Sequence, residues 1–242
     1  MRQFAVIALV TVLPAVSRAQ SYDEPRNATV PASGATVVKI DARAGLLRVT
    51  GRADISEVRV RGTARASSKS LLADIKLEAE RHGDEVTVRA VMPDRDDCCG
   101  WNREALLDLI IEIPAKLAVD IDDTSGDLTV ESVAAKVRID DSSGNIRVRD
   151  SGDVWIRDTS GGIDVRGVKG SVDIDEDSSG EIEVYDVTGS VHVGRDSSGS
   201  IDVSRVGGDF VVERDGSGSI DYDDVKGKVD IPRKDRYHRR YR

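Results

Sequence analysis

Aromatic residues are scarce in this chain of 242 residues: two Phe, two Trp and five Tyr, 4% in all. A core assembled around large rings is excluded, so burial must come from aliphatic side chains. Cysteine is scarcer, with only Cys98 and Cys99, side by side in DRDDCCGW. Neighbouring cysteines cannot staple distant segments, so no disulfide framework holds this fold. A bridge between them closes a tight, strained ring, and strained exposed bridges can be redox-active. No CxxC and no nearby histidine accompany the pair, which favours a structural or intermolecular loop feature. Histidine is limited to His82, His192 and His238, too few to serve a catalytic base to any motif repeated many times. Beyond the first 19 residues no stretch is long and apolar enough to cross a bilayer.

Residues 1–19 stand apart. Arg2 gives a positive start, FAVIALVTVLPAV is an apolar run of 13, and Ser-Arg-Ala at 17–19 offers small residues for cleavage. This is the pattern of a secretory signal peptide, and an exported chain, periplasmic or at the cell surface, is expected. Removing it takes away Arg2 and Arg18, so the net charge moves from -9 to -11. An acidic body disfavours general nucleic-acid binding, which rests on neutralising phosphates, and no nucleic-acid partner is expected. Residues 232–242, PRKDRYHRRYR, run the other way with six basic side chains against one acidic. They read as a solvated basic tail or as a contact for an anionic envelope polymer or lipid headgroup.

Residues 20–35 are polar with two prolines and read as a linker. From 36 to 122, VVKIDA, GLLRVTG, SEVRVRG, DEVTVRAV and LDLIIEIP alternate or run apolar between Gly, Asp and Pro, the pattern of strands. LLADIKLEAERHG could pass for a helix, but its alternation at Ile75, Leu77 and Ala79 favours a hairpin-like strand pair. From 123 to 231 the chain repeats. The glycine of each SG pair falls at 126, 144, 161, 180, 199 and 218, at intervals of 18, 17, 19, 19 and 19. Aligned on that glycine, five apolar slots superimpose, for example Ile182, Val184, Val187, Val191 and Val193. Only the short unit after Gly144 lacks the middle slot. Each unit therefore holds two short strands and a bend, and neither strand can bury its apolar face alone. The expected fold is all-β: a β-solenoid of ~19-residue two-strand repeats, stacked about 4.8 Å apart, with a less regular β N-terminal part.

Three residues before each glycine stands an aspartate, giving the pairs Asp123 and Gly126, Asp141 and Gly144, Asp158 and Gly161, Asp177 and Gly180, Asp196 and Gly199, Asp215 and Gly218. Asp at the first position and Gly at the fourth is a turn preference: the carboxylate accepts backbone N–H groups and glycine takes the conformation leading onward. A Ser-Gly phrase also suggests a hydrolase, but a nucleophile needs a base within reach, the motif is not G-x-S-x-G, and an active site is usually singular. The phrase reads as a structural corner, with no catalytic residues and no cofactor. The stacked aspartates read as a solvated acidic edge, with Ca²⁺ recruitment around Asp175, Glu176, Asp177 and Glu181 as the alternative. Trp155 and Tyr185 fall outward, and an exposed Trp on a flat face could stack on sugar rings or fill a groove between layers.

The export signal, GLLRVTG, SEVRVRG, LIIEIPAKLAVDIDDTSGDLTVESV and the chain of SG-x-I-x-V units together resemble a family of exported bacterial putative adhesins. The resemblance spans about residues 36–231. It implies a right-handed β-helix, a domain of unknown function and a non-catalytic role at the cell envelope or surface. It supplies no catalytic or ligand residues. The resulting expectation is a non-enzymatic interaction module whose faces bind an envelope polysaccharide or a protein partner. The alternative is a polysaccharide lyase or hydrolase on the same scaffold, with the irregular stretch 92–106 as the place for its site.

Overall fold

The computed structural model describes residues 21–93 and 104–232. The signal segment 1–19, Cys98 and Cys99, and the tail from 233 onward lie outside them. The described residues form twenty strands and one short helix, arranged as two sheets of ten strands each.

From residue 118 onward the chain alternates between the sheets, one strand in each per coil. In one sheet β9 (Leu128–Glu131), β11 (Ile146–Arg149), β13 (Ile163–Val168), β15 (Ile182–Val187), β17 (Ile201–Val206) and β19 (Ile220–Val225) lie parallel. In the other, β8 (Ala118–Asp123), β10 (Val137–Asp141), β12 (Val154–Asp158), β14 (Val172–Asp177), β16 (Val191–Asp196), β18 (Phe210–Asp215) and β20 (Val229–Asp230) do the same. Like slots stack in register, as with Ile163 on Ile182 and Val172 on Val191. The inward side chains between the sheets form one aliphatic core, and the parallel β-solenoid anticipated from the repeat is present.

Two slots differ from the sequence pattern. In the short unit the missing apolar residue is replaced by Ser151, fully buried, whose carbonyl receives Lys169 N–H as Val168 O receives Thr188 N–H one layer on. In the last unit Ile220, Val225, Val229 and Ile231 are only partly buried and Tyr222 is 48% exposed, because no described layer covers them.

The stack also begins earlier than the spacing of the glycines suggests. β2 (Val37–Asp41) and β3 (Leu47–Arg52) form a coil lying directly on β8 and β9, with Val38 opposite Val119 and Val49 opposite Val130. β6 (Glu85–Val91) and β7 (Ala105–Pro114) add another parallel coil beyond it. The N-terminal part therefore belongs to the same solenoid, interrupted by an insertion.

That insertion supplies antiparallel strands at the N-terminal end. β5 (Lys76–His82) pairs with β6 as a hairpin, in keeping with its alternation. The preceding residues Lys69–Asp74 instead form α1, where Ser68 accepts Leu71 N–H at 3.3 Å and Leu71 and Leu72 are buried. Residues 20–35 are not a linker throughout: Tyr22–Pro31 form β1, antiparallel to β4 (Glu57–Ala66) along its whole length. Arg26 fixes it further through Ile75 O at 3.0 Å and Leu72 O at 3.1 Å. Pro25 and Pro31 suggested a loop, but β1 is an outermost strand, where one side of the backbone has no ladder to supply.

Candidate functional site

The recurring Asp-x-Ser-Gly phrase connects the two sheets, leading from β8 to β9 and from each later coil to the next. Its glycines sit at φ between 123° and 145°, outside the reach of most side chains. Sterics add a second requirement. A Cβ on Gly180 would lie 1.7 Å from Gly161 O, and one on Gly199 would lie 1.5 Å from Gly180 O. The backbones of successive corners are that close because each glycine N–H donates across the stack, Gly161 to Ser179 O at 2.9 Å and Gly144 to Ser160 O at 3.0 Å. Gly45 belongs to this column too: its φ is 132°, and a Cβ on Gly126 would strike Gly45 O at 1.9 Å. The sequence reading missed it because DARAG, where Ala42 and Ala44 stand for the aspartate and serine, hides the phrase.

The serines are used structurally. Ser143 Oγ donates to Thr124 O at 3.1 Å and Ser198 Oγ to Ser178 O at 3.2 Å, each reaching the previous layer. The described histidines are engaged elsewhere: His82 Nε2 is 2.9 Å from Glu80, and His192 lies between Asp173 (2.8 Å) and Glu213 (3.2 Å).

The aspartates are not a solvated edge. Asp123, Asp141, Asp158, Asp177 and Asp196 are 0–2% exposed, and Asp215 in the last complete corner is partly covered. Strand alternation explains the inversion, since Ile121 and Asp123, or Ile139 and Asp141, share the inward side. One oxygen of each carboxyl holds the turn: Asp141 Oδ1 accepts Ser142 N–H at 2.8 Å and Ser143 N–H at 3.3 Å, and Asp177 Oδ1 accepts Ser179 N–H at 3.2 Å. The other oxygen, Oδ2 of Asp123, Asp141, Asp158 and Asp177, is buried without a hydrogen-bond partner.

These carboxyls stack in register, Asp123 on Asp141 on Asp158, and Asp177 on Asp196. Burial disfavours the charged form, and the neighbouring carboxylate adds repulsion. Burial, then Asp141, raises Asp123 to about 8. Burial, then Asp158 and Asp196, raises Asp177 to about 7, and burial with Asp141 raises Asp158 to about 6. Asp141 is also raised, by burial first, against the backbone hydrogen bonds from Ser143 and Ser142. Burial thus holds Asp123, Asp141, Asp158 and Asp177 closer to their neutral form than solvated aspartates. Among the described residues no group of three or more His, Cys, Asp or Glu is placed to hold a metal ion.

The outer faces carry mixed charge joined between layers. Arg166 lies 2.8 Å from Asp164 and 3.0 Å from Glu183, Arg195 lies 3.2 Å from Glu176, and Arg149 pairs with Asp164. Trp155 is on this outer surface, but the Arg138 guanidinium covers it at 3.6 Å from the ring centroid, with Arg157 at 5.4 Å. Tyr185 donates its hydroxyl to Asp202 at 2.9 Å. Both rings are tied to neighbouring layers, so the groove-filling account of Trp155 fits better than an open sugar platform.

β6 ends at Val91 and β7 begins at Ala105, and residues 94–103 of the stretch 92–106 lie outside the described set.

No family model matches the chain. No curated protein matches it either. Solved structures do. A putative lipid binding protein from Parabacteroides distasonis is 16% identical, with a TM-score of 0.41 over 86% of this chain and 94% of that one. A putative adhesin from Bacteroides fragilis is 13% identical, with a TM-score of 0.34 over 88% and 97%. A putative cell adhesion protein from Clostridium sporogenes is 10% identical, with a TM-score of 0.31 over 89% and 100%. Likenesses at this level assign no activity.

Proposed function

We propose that the chain is a non-enzymatic, exported β-solenoid that acts as an interaction module at the cell envelope or surface. Its two sheet faces would engage an extended partner, either an envelope polysaccharide or a protein. The observation that carries the reading is the use made of the repeated phrase. The serine hydroxyls that would serve as nucleophiles donate to carbonyls of the preceding layer, and the aspartates that would activate them are buried in the turn. What remains outward is a surface of ion pairs, several of them between layers. Such a surface repeats its spacing along the stack, which suits a polymer or a long protein edge better than a small substrate.

The test uses the full chain after removal of residues 1–19, presented to a panel of envelope and host polysaccharides with and without Ca²⁺. Retention and the release of new reducing or unsaturated ends are recorded together. Retention without product is expected. Product formation would overturn the reading in favour of a lyase or hydrolase, with 92–106 the first place to mutate. A Ca²⁺ requirement for retention would return attention to Asp175, Glu176 and Glu181.

A further inference from the structure

Outward residues of the solenoid stack in register as the inward ones do, and one outward row has a charge pattern of its own. In the sheet that contains β9, the pairing of β4, β7, β3, β9 and β11 sets Arg61, Ile110, Arg48, Thr129 and Arg147 side by side, one per layer. An arginine recurs at every second layer, and no carboxylate stands in the row between Arg61 and Arg147. One layer further on Asp164 ends the pattern, and the row continues with Glu183, Asp202 and Asp221.

These three arginines are loosely held. Arg48 has no ion pair among the described residues. Arg61 comes no nearer to Glu112 than 3.9 Å, and Arg147 no nearer to Asp164 than 3.9 Å. Asp164 is already engaged by Arg149, and by Arg166 at 2.8 Å. Elsewhere on the outer faces, Arg166 and Glu183 close to 3.0 Å and Arg195 and Glu176 to 3.2 Å. Apolar surface accompanies the free cations. Ile110, inside the row, is 41% exposed, and Leu46, two residues before Arg48, is 42% exposed.

Spacing decides what fits. Layers lie about 4.8 Å apart, so the arginines recur at about 10 Å along the stack. A peptide laid along it would present one face every 7 Å or about that, and falls out of step. Phosphates along a nucleic-acid strand recur at a still shorter step. Two sugars of an extended β-linked polysaccharide cover nearly the arginine step, so a carboxylate on every second sugar meets each guanidinium in turn. The guanidinium fork takes a carboxylate through two parallel N–H···O bonds. Ile110 and Leu46 then cover the C–H faces of the intervening rings. The adjacent row carries Glu112, Thr50 and Glu131, and its two carboxylates repel a polyanion that is shifted sideways.

We propose that the row Arg61, Arg48 and Arg147 is a binding track for an acidic polysaccharide with one carboxylate per two sugars, laid along the stack. The inference rests on the reading of the chain as an interaction module, and it names the face and the chemistry of the polymer.

Hyaluronan, in which a uronate alternates with an uncharged sugar, is the probe, titrated calorimetrically into the full chain as oligosaccharides. Affinity is expected to rise at least tenfold from the disaccharide to the hexasaccharide, which carries three carboxylates. R48Q/R61Q/R147Q is expected to lose at least tenfold for the hexasaccharide. R89Q/R157Q/R195Q removes equal charge from exposed positions on the other sheet and is expected to keep it. Equal losses in the two variants, or an affinity that does not grow with length, would overturn the proposal. Equal binding of carboxyl-reduced hyaluronan would also overturn it and leave the interaction module standing. Binding of neither polymer, nor of any other polysaccharide in the panel, would overturn the track and the polysaccharide reading together.

Discussion

Each regular coil turns twice, and its two turns are held in different ways. At the Asp-x-Ser-Gly turn, φ lies between 123° and 145° at every glycine, and a Cβ would fall within 2.0 Å of the backbone one layer away. At the opposite turn the equivalent positions are Ser132, Asp150, Gly167, Asp186, Arg205 and Asp224, at φ between 51° and 74°. That milder left-handed conformation admits side chains at modest cost, and Asp and Ser ease it by local hydrogen bonding. Both turns join backbone to backbone between layers, the second through Gly189 N–H to Gly170 O and Gly208 N–H to Gly189 O at 2.8 Å. The second also carries outward charge at its left-handed position, as with the Arg205–Asp186 pair. The sequence follows: the tight turn repeats Asp-x-Ser-Gly, while the other keeps a glycine at 170, 189, 208 and 227 and varies the residues around it.

The largest effect should come from violating the tight turn. Gly180→Ala places a methyl 1.7 Å from Gly161 O at φ 145°, and neither chain can move without breaking the stack. A loss of at least about 4 kcal/mol, or failure to fold, is expected by thermal unfolding followed with circular dichroism. Gly167→Ala at the opposite turn is the control. Its φ is 74° and its Cβ would come close only to the Asp150 carboxyl, at 2.7 Å, with the Asp150 backbone at ordinary contact distance, so a cost of about 1–2 kcal/mol is expected. Equal losses in the two variants would erase the contrast.

Acid should separate the turns next. Asp123, Asp158 and Asp177 titrate near 8, 6 and 7 when folded, whereas an unfolded aspartate titrates near 3.9. The folded chain therefore binds more protons between those values, and this contribution is full below about pH 4 and lost as pH rises through 6 to 8. Stability is expected to fall by on the order of a few kcal/mol from pH 4 to pH 8, and the D158N/D177N variant should flatten that slope. At the opposite turn the sign is reversed. The hydrogen bond from Arg205 lowers Asp186, whose contribution is present above the unfolded value and lost in acid. Asp186→Asn should leave the slope between pH 4 and pH 8 unchanged. A slope as steep in D158N/D177N as in the parent would show that the buried column does not govern it.

Ser143→Ala is expected to give the smallest change. It removes one hydroxyl donation to Thr124 O at 3.1 Å, worth about 0.5–1.5 kcal/mol by denaturant midpoint. A much larger loss would mean that the hydroxyls, rather than the glycines, hold the layers together.

Much of the architecture was legible because it repeats. The slots Ile163, Val165, Val168, Val172 and Ile174 recur at nearly constant spacing, and an aliphatic chain with few rings has few other ways to bury them. Where repetition failed, so did the reading. Gly45 was hidden by the alanines that replace its aspartate and serine. Ser151 carried no apolar signal although it fills an apolar slot. β1 looked like a linker because Pro25 and Pro31 forbid an inner strand but not an outermost one. The Asp-x-Ser-Gly phrase was recognised as a corner, but the direction its carboxyls face was misjudged.

By itself the sequence determined the class of fold, the period of the coils and the place of one turn in each, because hydrophobic spacing and a glycine of restricted alternatives are local facts. Alternation with Ile121 and Ile139 already carries Asp123 and Asp141 inward, but tertiary structure alone decided that Asp177 and Asp196 face the core, since they stand three residues after the inward Ile174 and Val193 and out of step with strict alternation. It also decided that β2 and β3, 81 residues before β8 and β9, are coils of the same stack, since parallel pairing depends on proximity in space and not on order in the chain.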